Sequence, residues 1–348
     1  MGYLSSFFSR RNSRSSARRD NETSAHSQNS SRQSTGFSQS TTSSSESSAN
    51  YPYSKEISGQ FVDKRKLQAL LRDEFDNDYQ LQIPDELPPS SARIAKVDYD
   101  DVEGLKQLLE SENVETVIST ISILSAAQSQ AQLNLIAAAD SSSSTRRFVP
   151  SEFGTMNAPE DAAKEPVMAP FASTADVLKG TNLQYTRFVL GFLMDYWGMP
   201  HVPSYMEPMH FAFDMVNRRR VIPGSGNNDA ISMVHSFDLA RFIVRSLDSD
   251  DWPEYSGVVG SDITLNEALA LIEKARGGKF DMVYDDEETL KSGNATLLGN
   301  EGAMPVEIIK EMNAFFGRLI VGGLMHIPKA VRITDKYADI RPMTGGNT

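Results

Sequence analysis

The chain has 348 residues, a formal charge of −12, 39% hydrophobic residues and no cysteine. That is apolar material for one large or two ordinary domains, while the missing thiols exclude a disulfide framework, a Cys-ligated metal centre and a cysteine nucleophile. The acidic balance argues against a nucleic-acid partner, and no apolar run reaches the ~18 residues of a spanning helix, so the expectation is a cytoplasmic, metal-free protein.

Residues 1–52 read as a disordered tail. Of the first 50 residues 18 are serine, and Arg10, Arg11, Arg14, Arg18 and Arg19 precede the first acid at Asp20. Such a segment buries too little apolar surface to offset its conformational entropy. Six arginines against Asp20, Glu22 and Glu46 leave the tail at +3 and the other 298 residues at −15. Met1-Gly2-Tyr3-Leu4-Ser5-Ser6 fits a myristoylation pattern, with the arginines as the second membrane attraction, so peripheral membrane association through Gly2 is one expectation. A mitochondrial import signal and a phosphorylatable tail are the others.

The ordered part spans 53–345, with a Rossmann core over about 63–160 and the remaining strands and a substrate region over about 160–345. Leu67, Leu70, Leu71 and Phe75 fall on one face of a helix opening near Asp63, and Tyr79, Leu81 and Ile83 alternate as a strand. Ile94, Ala95 and Val97 form another strand, and Val102, Leu105, Leu108 and Leu109 mark the next helix. Val114 to Ile121 reads as a buried strand, Gln132 to Ala139 as the end of a helix, and Arg147 to Pro150 as a further strand. This succession predicts an α/β fold with a mostly parallel sheet and helices on both faces. Downstream, Tyr185 to Leu190 is strand-like, Phe237 to Leu247 helical, and Val258-Val259 a short strand. Thr264 to Glu267 is a capping box opening a helix through Lys274, and Pro305 is suited to the first turn of the last long helix. Arg218-Arg219-Arg220 reads as a solvated helix end. His201, His210 and His235 lack metal-site spacing.

Specific strings then become recognisable: Lys96 to Asp101, Val117-Ile118-Ser119-Thr120-Ile121, Gln132 to Ala139, and above all Arg147-Phe148-Val149-Pro150-Ser151-Glu152-Phe153-Gly154. With Gln184-Tyr185-Thr186, Gly191 to Tyr196, Ile222-Pro223-Gly224 and Phe237 to Phe242, the chain resembles the NmrA-like and isoflavone-reductase-like family from about residue 63 to near the C-terminus. The resemblance implies an atypical short-chain dehydrogenase/reductase fold binding NADP or NAD. It also implies either reduction of a small aromatic or quinone-like molecule, or ligand binding and regulation without turnover. Ser119, Thr120, Ile121, Pro150, Ser151 and Phe153 follow two sheet strands at the edge where open α/β sheets bind ligands, so they are the candidate cofactor residues. Gly191, Phe192, Met194 and Tyr196 are candidate substrate residues by family position. The plainer alternatives are strand-end and turn residues for the first group and core aromatics for the second.

Three departures from the family pattern bear on chemistry. No G-x-x-G-x-x-G turn precedes the helix near Asp63, where glycine would let the backbone approach a pyrophosphate, and only Gly59 lies nearby. Asp85 and Glu86 follow the second strand, where relatives that use NADP place an arginine for the 2′-phosphate. Thr174 aligns with the family's catalytic lysine, with Lys179 five residues on, so the catalytic residue stays unassigned. Tyr51 to Lys55 is a chance Tyr-x-x-x-Lys. A further reading makes residues 1–60 the product of a wrongly joined exon. These departures imply impaired dinucleotide binding.

Overall fold

A computed structural model describes residues 59–61 and 93–344, apart from 124, 159–160, 162–164, 207–208, 228–229 and 299–304. The tail, the helix near Asp63, the strand at Tyr79 to Ile83, Tyr51 to Lys55, and Asp85 and Glu86 lie outside the described residues. Within them β1 (Gly59–Phe61) pairs antiparallel with β2 (Arg93–Ala95).

The central sheet is parallel. β3 (Thr116–Ile118) lies beside β4 (Arg147–Val149), which lies beside β5 (Gln184–Tyr185). After Thr186 the chain continues as β6 (Arg187–Val189), which pairs with β11 (Tyr255–Gly257). Side chains alternate between the faces, as a pleated strand requires. Val117 and Phe148 join the core under α1 (Val102–Ser111), α2 (Ala126–Ser141) and α3 (Ala169–Lys179), with Leu105, Ile136 and Leu178. Ile118 and Val149 face the opposite core, where α5 (Ser236–Ser246) contributes Leu239 and Phe242. Helices therefore cover both faces of the sheet.

The C-terminal part adds smaller sheets. β7 (Phe192–Leu193) pairs parallel with β10 (Ala230–Val234), and β12 (Ser261–Thr264) lies antiparallel on β10. β8 (Phe213–Asp214), β9 (Arg219–Pro223) and β13 (Asp281–Asp285) form another, with β9 in the middle. The short α4 (Asp195–Gly198) and α7 (Glu287–Lys291) accompany α6 (Leu265–Arg276) and α8 (Val306–Val321). The capping box forms as the sequence indicates: Thr264 Oγ1 accepts from Glu267 N at 3.2 Å, and Glu267 Oε2 accepts from Thr264 N at 2.9 Å. Among the described residues no helix is long and apolar enough to cross a membrane.

Several sequence expectations shift. The strand expected over Val114 to Ile121 narrows to Thr116–Ile118, although Ser119 N still donates to Val149 O at 2.8 Å. The strand expected at Val258-Val259 is Tyr255–Gly257, because pairing with β6 sets its extent. Pro305 stands just before α8 as its cap rather than in the first turn. The arginine run is no helix end: Arg218 has φ +52°, and Arg219 and Arg220 begin β9, with Arg220 buried.

Candidate functional site

The parallel strands carry three loops at their C-terminal ends. Gly154 O accepts from Leu190 N at 2.8 Å and from Gly191 N at 3.1 Å, which ties the loop after β4 to the end of β6. Phe153, Gly154, Gly191, Phe192 and Tyr196 line one cleft there with Met209, Phe316 and Met325. Its volume is about 60 Å³, below the ~300 Å³ at which small-molecule pockets usually begin. A planar ligand would enter by displacing side chains, and the thioethers of Met209 and Met325 are the ones that yield most readily. A larger cavity of about 310 Å³ lies against Glu254, Tyr255 and Arg332. It opens at the start of β11, away from the edge where parallel sheets bind ligands.

Gly191 adopts φ +80°, and a Cβ there would lie 2.3 Å from Ser232 O and 2.7 Å from Met325 O. Only glycine lets the chain turn from β6 into β7 at that close approach. Phe192 then projects into an aromatic cluster, with its ring centroid 5.3 Å from Tyr196, 5.4 Å from Trp197 and 5.6 Å from Phe211. Trp197 Nε1 donates to Phe211 O at 2.9 Å. α4, which carries Tyr196, is pinned by the buried Asp195. One carboxylate oxygen accepts from Ser204 Oγ at 2.8 Å and Ser236 Oγ at 2.5 Å, and the other from Ser236 N at 2.9 Å at the start of α5. Burial pushes the Tyr196 phenol far above its ordinary range, with the Asp195 charge adding to the shift. Tyr196 therefore stays protonated and able to donate.

The remaining candidates divide. Ser119 is buried, and its Oγ has no hydrogen-bond partner. Pro150 is buried beside it on β4's exit, Thr120 is exposed, and Ile121 packs against the apolar cluster containing Phe192. Ser151 N donates to Gln132 Oε1 at 2.8 Å. Met194 does not line the cleft: it is buried, and its N donates to Val234 O at 3.0 Å, where β7 meets β10. Met194 was a candidate by family position, and its burial in the apolar cluster agrees with the plainer alternative of a core residue.

Thr174 is wholly buried on α3, and its Oγ1 accepts from Gln132 Nε2 at 3.1 Å. Lys179 lies on the last turn of α3 with its side chain 51% exposed and 4.0 Å from Asp176. Among the described residues no lysine or arginine lines the cleft. Two features were missed from sequence. Arg187 is buried and pairs with Glu152 at 2.8 Å; burial works against its charge, but the Glu152 carboxylate outweighs this and holds the guanidinium above its ordinary range. Phe316 and Met325 reach the cleft from α8 and beyond. Neither carries a local sequence signal, because their partners are far away in the chain.

A nicotinamide dinucleotide can be tested against these residues. At the ends of β3 and β4 the fit is good, since Ser119 Oγ is an unpartnered buried donor and acceptor beside the cleft's loops. The sequence before β3 holds only Gly2, Gly36, Gly59 and Gly104, too widely spaced for a three-glycine phosphate turn.

The sequence pattern of the NmrA-like family matches residues 56–320. The oxidoreductase BOA1 of Botryotinia fuckeliana is 34% identical over 199 residues, covering 57% of this chain and 66% of that protein. The oxidoreductase swnN of Metarhizium robertsii is 29% identical over 232 residues, covering 60% and 68%. The matched segment thus spans about two thirds of these relatives. Among solved structures, isoflavone reductase superposes with a TM-score of 0.55 at 21% identity, covering 72% of this chain and 78% of that one. The leucoanthocyanidin reductase–NADPH complex from Vitis vinifera gives 0.54 at 18%, covering 73% and 82%. At these identities the superpositions speak for the fold alone, whereas the sequence pattern covers more than half of the chain: the chain belongs to the NmrA-like family.

Proposed function

We propose that this protein is an oxidoreductase that holds a small aromatic or quinone-like molecule in the cleft beside the nicotinamide end of NADP(H) or NAD(H). The observation that carries this reading is the meeting of the loops after β4 and β6 with the Phe192 aromatic cluster on one apolar cleft. Several relatives are named as reductases or oxidoreductases, and one solved neighbour is a binary complex with NADPH. Bound there, the reduced nicotinamide would supply a hydride. Ser119 and the Pro150–Ser151 backbone would hold its ring end, Phe192 and Phe316 would exclude water, and Tyr196 would donate a hydrogen bond to a substrate oxygen. The cleft is apolar enough for that bond to be strong. The test is NADPH consumption by purified protein with a panel of quinones and aromatic ketones, including menadione, alongside Tyr196→Phe. No consumption with any member would dismiss the catalytic reading.

A second reading, a ligand-binding regulatory module without turnover, is favoured by Thr174, whose buried hydroxyl stands where catalytic relatives are expected to carry lysine. Menadione binding without NADPH consumption would support it.

A further inference from the structure

The loop of residues 150–157 forms one wall of the cleft through Phe153, Gly154 and Thr155. A buried guanidinium holds the same loop through Glu152 and Asn157. Arg187 Nε donates to Glu152 Oε1 at 2.8 Å, and a second arm donates to Asn157 O at 3.0 Å. Asn157 Nδ2 donates to the other Glu152 oxygen at 3.3 Å, and Thr155 Oγ1 donates to Asn157 Oδ1 at 3.1 Å. The third arm meets the Tyr255 hydroxyl, and the guanidinium lies 4.6 Å over the Tyr255 ring. The Arg187 and Glu152 side chains are only 2% and 0% exposed. Between the tethered residues 152 and 155 stands Phe153 at φ +38°, stacked on Phe188 at 6.5 Å. A non-glycine residue holds such a conformation only where its surroundings over-determine it.

A pair that served stability alone would be an odd device, because replacing a buried ion pair by apolar side chains is often neutral for stability. What apolar side chains cannot reproduce is the fork that reaches Glu152 and Asn157 at once. We propose that Arg187 is a positioning residue: paired with Glu152, it clamps residues 152–157 so that Phe153 and Thr155 stand where the cleft requires them, and so sets the cleft's affinity for its ligand. This rests on the reading of the cleft as a small-molecule site.

The test separates position from stability. Full-length wild type, Arg187→Met, Arg187→Lys and the double variant Glu152→Met/Arg187→Met are compared by thermal unfolding, by hydrogen exchange of peptides covering residues 150–157, and by menadione titration of tryptophan fluorescence. Arg187→Met alone leaves a buried carboxylate unpaired and should unfold early, while the double variant should recover much of that loss. The clamp predicts that the recovered double variant still exchanges residues 150–157 at least about tenfold faster and binds menadione about tenfold more weakly than wild type, with Arg187→Lys between. A stable double variant with wild-type exchange and wild-type affinity would overturn it. If wild type binds no menadione, the reading of the cleft fails, and the clamp is then judged by exchange alone, where wild-type protection in the double variant refutes it.

Discussion

Gly191 Cα stands so close to the Ser232 carbonyl that any side chain would press on β10, with a Cβ only 2.3 Å from that oxygen. Because the neighbour is backbone and φ is +80°, neither partner can swing aside. Gly191→Ala should cost roughly 2 to 4 kcal/mol, combining the strain of positive φ with overpacking. Guanidinium unfolding measures it, and a loss under about 1 kcal/mol would show that β10 can move.

Phe192 is the hub of the cleft's aromatic cluster, touching Tyr196, Trp197, Phe211 and Phe316. Phe192→Ala should destabilise the chain by roughly 3 to 5 kcal/mol. Phe192→Leu retains most of the volume and should keep the fold while weakening menadione binding in the fluorescence titration. Unchanged binding in Phe192→Leu would place the ligand elsewhere.

The two candidate lysine positions differ sharply in environment. Thr174 is wholly buried against Gln132, so Thr174→Lys places an unpaired ammonium in a packed helix interface and should cost at least about 3 kcal/mol rather than create activity. Lys179→Ala, by contrast, removes an exposed side chain with one distant acidic neighbour and should change stability by less than about 0.5 kcal/mol. Any NADPH-dependent menadione reduction should be the same in Lys179→Ala as in wild type. A variant that lost such activity would bring Lys179 back into consideration.

The βαβ core was legible because its residues alternate between periods of 2 and 3.6: Val117 and Ile118 split to opposite faces, as do Phe148 and Val149. The capping box at Thr264 was legible for the same local reason. Arg220 was misread because three arginines in a row imply solvent, whereas Arg220 enters the middle strand of a three-stranded sheet that local pattern does not reveal. Met194 was placed by family position, and local pattern could not tell a cleft residue from a core one there. The Arg187–Glu152 pair was invisible because a buried ion pair becomes recognisable only when the fold brings β6 beside the loop after β4.

Acid should weaken the fold through Asp262. Burial pushes its carboxyl up, but the hydrogen bonds and charge of Arg332, at 2.7 and 2.9 Å, and the Ser232 hydroxyl at 2.7 Å outweigh this and hold it below the usual carboxylate range. A folded-state pKa below the unfolded value means stability that is fully present above about pH 4 and is lost as pH falls through the folded value. Urea midpoints at pH 7, 4 and 3 should fall more steeply in wild type than in Asp262→Asn, which should already be weaker at pH 7. Parallel curves would assign the acid loss to other carboxylates.

Dinucleotide binding should be lopsided. On the proposed placement the nicotinamide end would meet Ser119, whose buried hydroxyl lacks a partner, and the loop after β4 with Ser151 N anchored on Gln132. The phosphate end lacks the glycine turn that would bring backbone N–H groups to a pyrophosphate, and charge-assisted bonds of that kind contribute roughly 1.5 to 3 kcal/mol each. A dinucleotide that relies on its nicotinamide half should gain little from its adenosine half. Reduced nicotinamide mononucleotide should therefore bind within about tenfold of NADPH, and NADH should match NADPH, when both are titrated by nicotinamide fluorescence. On that placement Ser119→Ala should weaken all three equally, because it would touch only the shared end. NADPH binding about a hundredfold tighter than the mononucleotide would mean that residues before β3 supply a phosphate site without the glycine turn. Selective loss of that advantage at high salt would then mark it as electrostatic, pointing to the arginines of the N-terminal segment.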